Sequence, residues 1–235
     1  MKRSTLHLWC WFMLLSGLPA WAQVTLTAHV EVGDKRSPRR SGDVVLWLSP
    51  MVSRGDFLPS SSPAPRLVQH NKSFEPHVLV VPVGSVVEFP NRDPFFHNVF
   101  SYFEGKRFDL GLYEAGTTRD VRFDKVGISY IFCNIHAEMS AVVIALDTPY
   151  YGISNARGEV IISNVPAGRY NMHVWYEASL PDKLRELTRE ISVSENSSTL
   201  GVIRLPRSEQ QAHKNKYGRD YDQPVPAESP GYQRP

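Results

Sequence analysis

The sequence predicts an all-β chain, and three observations carry that prediction. Apolar residues alternate at period two in short runs, clusters of Gly, Pro, Asn and Ser separate the runs, and hardly any stretch keeps a helical period. About 180 of the residues read as ordered, enough for two small β-sandwiches, or one large one, each burying its own core.

A leader comes before the first strand. Lys2 and Arg3 precede an apolar stretch over residues 6–18, and Ala20-Trp21-Ala22 follows as a small-x-small cleavage site. Residues 1–22 therefore read as a secretory signal peptide, with the mature chain starting at Gln23. The apolar stretch falls short of the roughly 20 residues that span a bilayer, so no stable membrane span is expected after cleavage. Cleavage removes Cys10 and leaves Cys133 alone. In an oxidising compartment cysteines pair, so an odd one is either reactive or occupied. Without Lys2 and Arg3 the 26 Lys+Arg fall to 24, against 24 Asp+Glu, a balance that argues against a nucleic-acid or anionic-membrane surface.

The elements follow in order. Val24-Thr25-Leu26-Thr27-Ala28-His29-Val30 alternates, residues 33–42 are basic and turn-rich, and Val44-Val45-Leu46-Trp47-Leu48 is apolar, which predicts a hairpin over 23–50. Residues 51–66, with Pro59, Pro63, Pro65 and Ser60-Ser61-Ser62, read as a linker loop. A second block covers 67–147, opening with extended runs at 67–74 and 77–83. After a turn at Gly84, Val87 and Phe89 share one face, and Asn91-Arg92-Asp93-Pro94 is the turn that delivers His97. Val121 and Phe123 alternate before a turn at Gly127, Tyr130-Ile131-Phe132-Cys133 is a buried strand, and 141–146 is a run that closes the sheet. Residues 148–205 return to hairpins, with turns at 154–158 and 166–168 and an alternating Tyr170, Met172, Val174. Residues 206–235 are polar and rich in Pro and Gln, which predicts a disordered tail.

The chemistry concentrates in Cys133-Asn134-Ile135-His136-Ala137-Glu138-Met139. A thiolate, an imidazole and a thioether at three-residue spacing form a soft ligand set. Together with a second histidine such a set selects copper in the blue electron-transfer geometry, two His and one Cys with a weak axial Met. His97, 36 residues upstream of Cys133, is the candidate for that histidine. A Cys-x-x-His pair alone also occurs in zinc sites, which prefer more thiolates. His77, on an apolar strand, reads as a buried, hydrogen-bonded structural histidine, and His29, His70, His173 and His213 as solvated. Met51 and Met172 read as filler. Asp93, Glu88 and Glu138 read as solvated carboxylates, since no pair of them converges on a nucleophile.

These residues carry a resemblance. Phe74-Glu75-Pro76, Gly84-Ser85-Val86-Val87-Glu88-Phe89-Pro90-Asn91-Arg92-Asp93, His97-Asn98, Gly127 and Cys133-x-x-His136-x-x-Met139 together resemble the cupredoxins, closest to plastocyanin and amicyanin, with the short amicyanin-like spacing around the second histidine. With Asp147-Thr148-Pro149-Tyr150 added, the chain is similar over about residues 24–205 to bacterial periplasmic cupredoxin-domain proteins labelled for methylamine utilisation. Ala137-Glu138 stands where that likeness would have Asp-Trp, and Ala141 where a Gly often follows the axial Met.

The resemblance implies a Greek-key cupredoxin sandwich over 67–147. Residues 148–205 resemble a smaller transthyretin-like, or carboxypeptidase-regulatory-like, sandwich, for which 23–50 would supply the first hairpin. It further implies one type 1 copper per chain, with His97, Cys133 and His136 as equatorial ligands, Met139 as the axial ligand, and Asn98 tying the first-histidine loop to the cysteine loop. The function implied is one-electron transfer in the periplasm to redox partner proteins, such as a periplasmic cytochrome or dehydrogenase, docked on an apolar patch of Phe95, Phe96 and Ile135 beside His136. An enzyme is not expected, because a fully ligated metal leaves no substrate position and the His-x-His clusters of multicopper centres are absent from the sequence. Copper delivery, sensing or storage, or a non-redox interaction module, are the alternatives.

Overall fold

The computed structural model describes residues 23–33, 42–52, 63–102, 104–206, 215–217 and 219. The expected signal peptide, most of the 51–66 loop, His213 and most of the expected tail lie outside these residues. In chain order the strands are β1 (Gln23–Val32), β2 (Val45–Pro50), β3 (Val68–His70), β4 (Ser73–Glu75), β5 (Val78–Pro82), β6 (Val86–Pro90), β7 (His97–Ser101) and β8 (Phe108–Tyr113). They continue with β9 (Thr118–Arg122), β10 (Gly127–Phe132), β11 (Ser140–Leu146), β12 (Tyr151–Ile153), β13 (Glu159–Pro166) and β14 (Gly168–Trp175). After one short helix, α1 (Pro181–Glu186), come β15 (Arg189–Val193) and β16 (Thr199–Leu205). The all-β prediction holds.

The first and last parts of the chain build one sandwich together. One sheet has the order β13-β1-β16 and the other β12-β2-β14-β15. Alternation along β1 turns Leu26, Ala28, Val30 and Val32 inward, where they join Leu46, Leu48, Val160, Ile162, Tyr170, Met172 and Val174 in one buried cluster. The Tyr170 hydroxyl donates to the Pro166 carbonyl at 2.7 Å, so its burial leaves no unpaired donor.

The hairpin expected over 23–50 does not form. β1 is flanked by β13 and β16, β2 by β12 and β14, so the two strands lie in different sheets. A turn of two to five residues forces antiparallel neighbours, but the connection at 33–44 is long enough to cross from one sheet to the other.

The middle of the chain forms a five-stranded sheet, β5-β11-β10-β7-β8, accompanied by the pairs β6-β9 and β3-β4. β11 is buried on both faces. Val142, Ile144 and Leu146 enter the core of the terminal sandwich, whereas Ala141, Val143 and Ala145 enter a second core with Phe89, Val99, Phe123, Ile131, Cys133 and Met139. The five-stranded sheet is therefore a shared wall, which explains why residues 141–146 read as continuously apolar rather than alternating. The expected extended run at 67–74 is broken into β3 and β4 by Asn71 and Lys72, both at positive φ (52° and 56°), a two-residue hairpin turn.

His77 ties the two halves together. Its Nε2 lies 2.7 Å from Glu177 Oε2 and its Nδ1 3.2 Å from the Ser140 carbonyl. The Glu177 hydrogen bond outweighs desolvation and holds His77 above its ordinary 6.5. A raised folded pKa contributes stability that is fully present below the unfolded value and is lost as pH rises through the folded one. Resistance to urea should therefore fall as pH rises from the unfolded value through the raised folded one, and that slope should flatten in His77→Gln.

Candidate metal centre

Three donor side chains meet at one end of the inner core. His97 opens β7, Cys133 follows β10, and His136 lies in the loop that leads to β11; one donor atom from each falls within 4.8 Å of the others. His97 and Cys133 are fully buried and His136 is half-buried. Cys133 Sγ is 3.8 Å from His97 Nδ1 and 3.6 Å from His136 Nδ1. Metal–sulfur and metal–imidazole bonds of about 2.3 and 2.0–2.1 Å at about 110–120° separate S from N by about 3.5–3.8 Å, so the donors fit a shared ion.

The loop between Cys133 and Met139 is closed by its own backbone. Cys133 N–H donates to the Met139 carbonyl and Met139 N–H to the His136 carbonyl, both at 3.1 Å. Met139 is fully buried in the same core cluster as Cys133. Burial alone would push the Cys133 thiol up. The His97 ring and the main-chain N–H groups of Asn98, Ile135 and His136, all hydrogen-bonded to the sulfur, reverse that and favour the thiolate.

Asp93 corrects the sequence reading. It is a buried carboxylate, 4% exposed, and not a solvated turn residue. Its Oδ2 accepts His97 Nε2–H at 2.7 Å and Lys72 N–H at 3.0 Å, while its Oδ1 accepts Asn71 N–H at 2.7 Å. Its own N–H donates to Asn91 Oδ1 at 3.0 Å, which closes the local turn. Desolvation raises the Asp93 pKa, but the amides of Lys72 and Asn71 and the His97 ring prevail and hold it below the usual carboxylate range. With Nε2–H committed to Asp93, the His97 ring is held with Nδ1 facing Cys133; that nitrogen donates to the sulfur and, once it gives up its proton, would offer its lone pair to an ion, the arrangement by which an outer carboxylate fixes a ligand histidine.

The two histidines differ in charge preference. His97 loses by desolvation and gains more from Cys133 and Asp93, so its pKa rises. Desolvation, then repulsion from His97 and Lys72, lowers that of His136 and favours the neutral ring that ligation requires.

The remaining expected residues fall at varied distances from this cluster. Asn98 reaches Cys133 through its main-chain N–H, while its side chain turns away and donates to Asp109 Oδ1 on β8 at 2.8 Å. Phe95 packs against both histidine rings, with centroids at 5.1 and 5.8 Å. Phe96 is 55% and Ile135 47% exposed. His77 takes no part in the cluster and, though hydrogen-bonded as expected, is half-buried rather than buried. His173, expected in solvent, is stacked on Trp47 at 5.0 Å, and Met172 is core. Glu88 pairs with Arg66 at 2.6 Å, and Glu138 is exposed.

No protein-family model matches the chain, and no curated protein matches it. Among the solved structures similar to it are a purple cupredoxin, amicyanin and a copper-containing nitrite reductase. A purple cupredoxin from Nitrosopumilus maritimus is 22% identical, with 35% of this chain and 99% of that chain covered and a TM-score of 0.33. The P94F mutant of amicyanin is 20% identical over 43% of this chain and 99% of its own, with a TM-score of 0.34. A copper-containing nitrite reductase from Thermus scotoductus is 23% identical, with 43% of this chain and 26% of that longer chain covered and a TM-score of 0.36. At these identities no residue role passes from them to this chain.

Proposed function

We propose that the chain is an exported, periplasmic electron carrier in which His97, Cys133, His136 and Met139 would hold one type 1 copper ion. The observation that supports this most is the convergence of one thiol sulfur and two imidazole Nδ1 atoms at 3.6–3.8 Å, buried, at the edge of a core that also holds Met139. When bound, copper supplies a one-electron couple between its cuprous and cupric states. The protein's part is to keep the donors where both states accept them. The backbone bonds inside the Cys133–Met139 loop, the three N–H groups on the sulfur and the Asp93 clamp on His97 all act before any ion arrives. Such preformed rigidity suits a carrier, and four protein donors leave no open position for a substrate.

Electrons would leave through the half-buried edge at His136, where Phe95, Phe96 and Ile135 offer a small apolar surface for transient docking of a cytochrome or dehydrogenase. Phe96→Asp should slow electron exchange with such a partner and leave the visible spectrum unchanged; stopped-flow mixing checks this. The terminal sandwich, made from 23–50 and 148–205, is read as the support behind the shared sheet.

Redox cycling tests the carrier reading. The copper-loaded chain should bleach with ascorbate and regain its colour with ferricyanide over repeated cycles, retaining copper in the presence of a Cu(I) chelator. Loss of Cu(I) to the chelator at the first reduction would instead identify a delivery or storage protein.

A further inference from the structure

The expected tail is not wholly detached from the fold. Lys216 N–H donates to Asn134 Oδ1 at 3.1 Å, although the two are 82 residues apart. Asn134 directly follows Cys133. The Lys216 ammonium lies 2.9 Å from Asp109 Oδ2. Asp109 is a hub, since Oδ1 also accepts Asn98 Nδ2–H at 2.8 Å and Gly111 N–H at 2.9 Å, and Oδ2 accepts the Tyr102 hydroxyl at 3.1 Å. Asn98 in turn follows His97 and donates its main-chain N–H to the Cys133 sulfur. One residue near the C-terminus thus holds both elements that deliver donors: β7 through Asp109 and Asn98, and the cysteine loop through Asn134.

The segment is itself folded. Asn215 Oδ1 accepts the N–H groups of Tyr217 and Arg219 at 3.0 and 3.2 Å, and Asn215 N–H donates to the Arg219 carbonyl at 2.9 Å. The Lys216–Asp109 pair is only 20% and 25% exposed, and the ammonium sits 5.5 Å from the Tyr217 ring centre. Solvent screens such a partly buried pair less than a surface one.

We propose that residues 215–217 and 219 form a strap that fixes the cysteine loop from outside, with Lys216 as a positioning residue for Cys133 and His136. The loop's own backbone bonds close it on itself but do not anchor it to β8, and the strap supplies that anchor. As a statement about copper it rests on the carrier reading; as a statement about the loop it does not.

The test uses the chain without residues 1–22 and its variants Lys216→Met, Lys216→Arg and Asn134→Ala. In the metal-free protein, hydrogen exchange at the Ile135 and His136 amides should speed up about tenfold in Lys216→Met and Asn134→Ala, the size expected for loss of one charge-assisted or buried hydrogen bond, and Lys216→Arg should restore protection. In the copper-loaded protein the same two variants should change the cupric hyperfine splitting and release Cu(I) to bicinchoninate faster, again with rescue by Lys216→Arg. Exchange at wild-type rates in both variants would overturn the strap. Looser loops in the variants, in a wild type that shows no thiolate-to-copper band, would uphold the strap and remove the copper reading.

Discussion

Replacing Asp93 with alanine should weaken copper binding by about 10- to 100-fold, the range seen when the outer partner of a metal-bound histidine is removed. The cause is local. His97 is buried with Nε2–H committed to Asp93, and without that acceptor the ring is free to flip or to take the other tautomer, which withdraws the Nδ1 lone pair from the Cys133 side. The same change strips the carboxylate from the Asn71 and Lys72 amides, so the β3–β4 turn loosens as well. Asp93→Asn separates the two effects. Its amide oxygen still accepts from His97, but its NH2 faces backbone N–H donors, so its affinity should fall between wild type and Asp93→Ala. Glu138→Gln, an exposed charge change inside the ligand loop, should leave affinity unchanged. Competition against a chelator of known affinity measures all three, and an Asp93→Ala protein that binds as tightly as wild type would contradict the assigned role.

The largest expected loss of stability is at Ile144. It is 1% exposed on β11, opposite Ile128 of β10 and Val80 of β5, with its side chain in the terminal core and its neighbours Val143 and Ala145 in the inner one. Ile144→Ala should cost about 2–5 kcal/mol through lost burial and the cavity left behind. Because β11 walls both cores, the loss should appear in both halves of the molecule at once. Two probes read them separately. In the chain without residues 1–22 the tryptophans are Trp47 and Trp175, both in the terminal sandwich, while buried Cys133 reports the inner core through its reaction with a thiol reagent. Coincident urea midpoints, both lowered in Ile144→Ala, are expected for one cooperative unit; a shift in tryptophan fluorescence alone would show two independent units.

What is legible in the sequence depends on how local its cause is. Strand positions and the all-β class follow from period-two patterning that each segment carries by itself, and the Cys133, His136 and Met139 spacing lies within a single loop. Asp93 is not legible in this way. Within Asn91-Arg92-Asp93-Pro94 it reads as a turn former, and its burial is decided by the Asn71-Lys72 turn some twenty residues upstream, which places two amides against it. The separation of β1 and β2 into different sheets is equally nonlocal, since it depends on β13 and β16 occupying both edges of β1. Lys216 is hidden for the opposite reason. Its surroundings are too polar to predict order, and two contacts, with Asn134 and Asp109, set its place.

The most direct measurement on the central claim is the visible and electron paramagnetic resonance spectrum of the chain without residues 1–22 after addition of one equivalent of Cu(II), beside Cys133→Ser treated identically. An intense blue or green thiolate-to-copper band with a narrow parallel hyperfine splitting, absent from Cys133→Ser, is the predicted result. A weak spectrum with wide splitting, the same in both proteins, would show copper held away from Cys133 and would contradict the proposal.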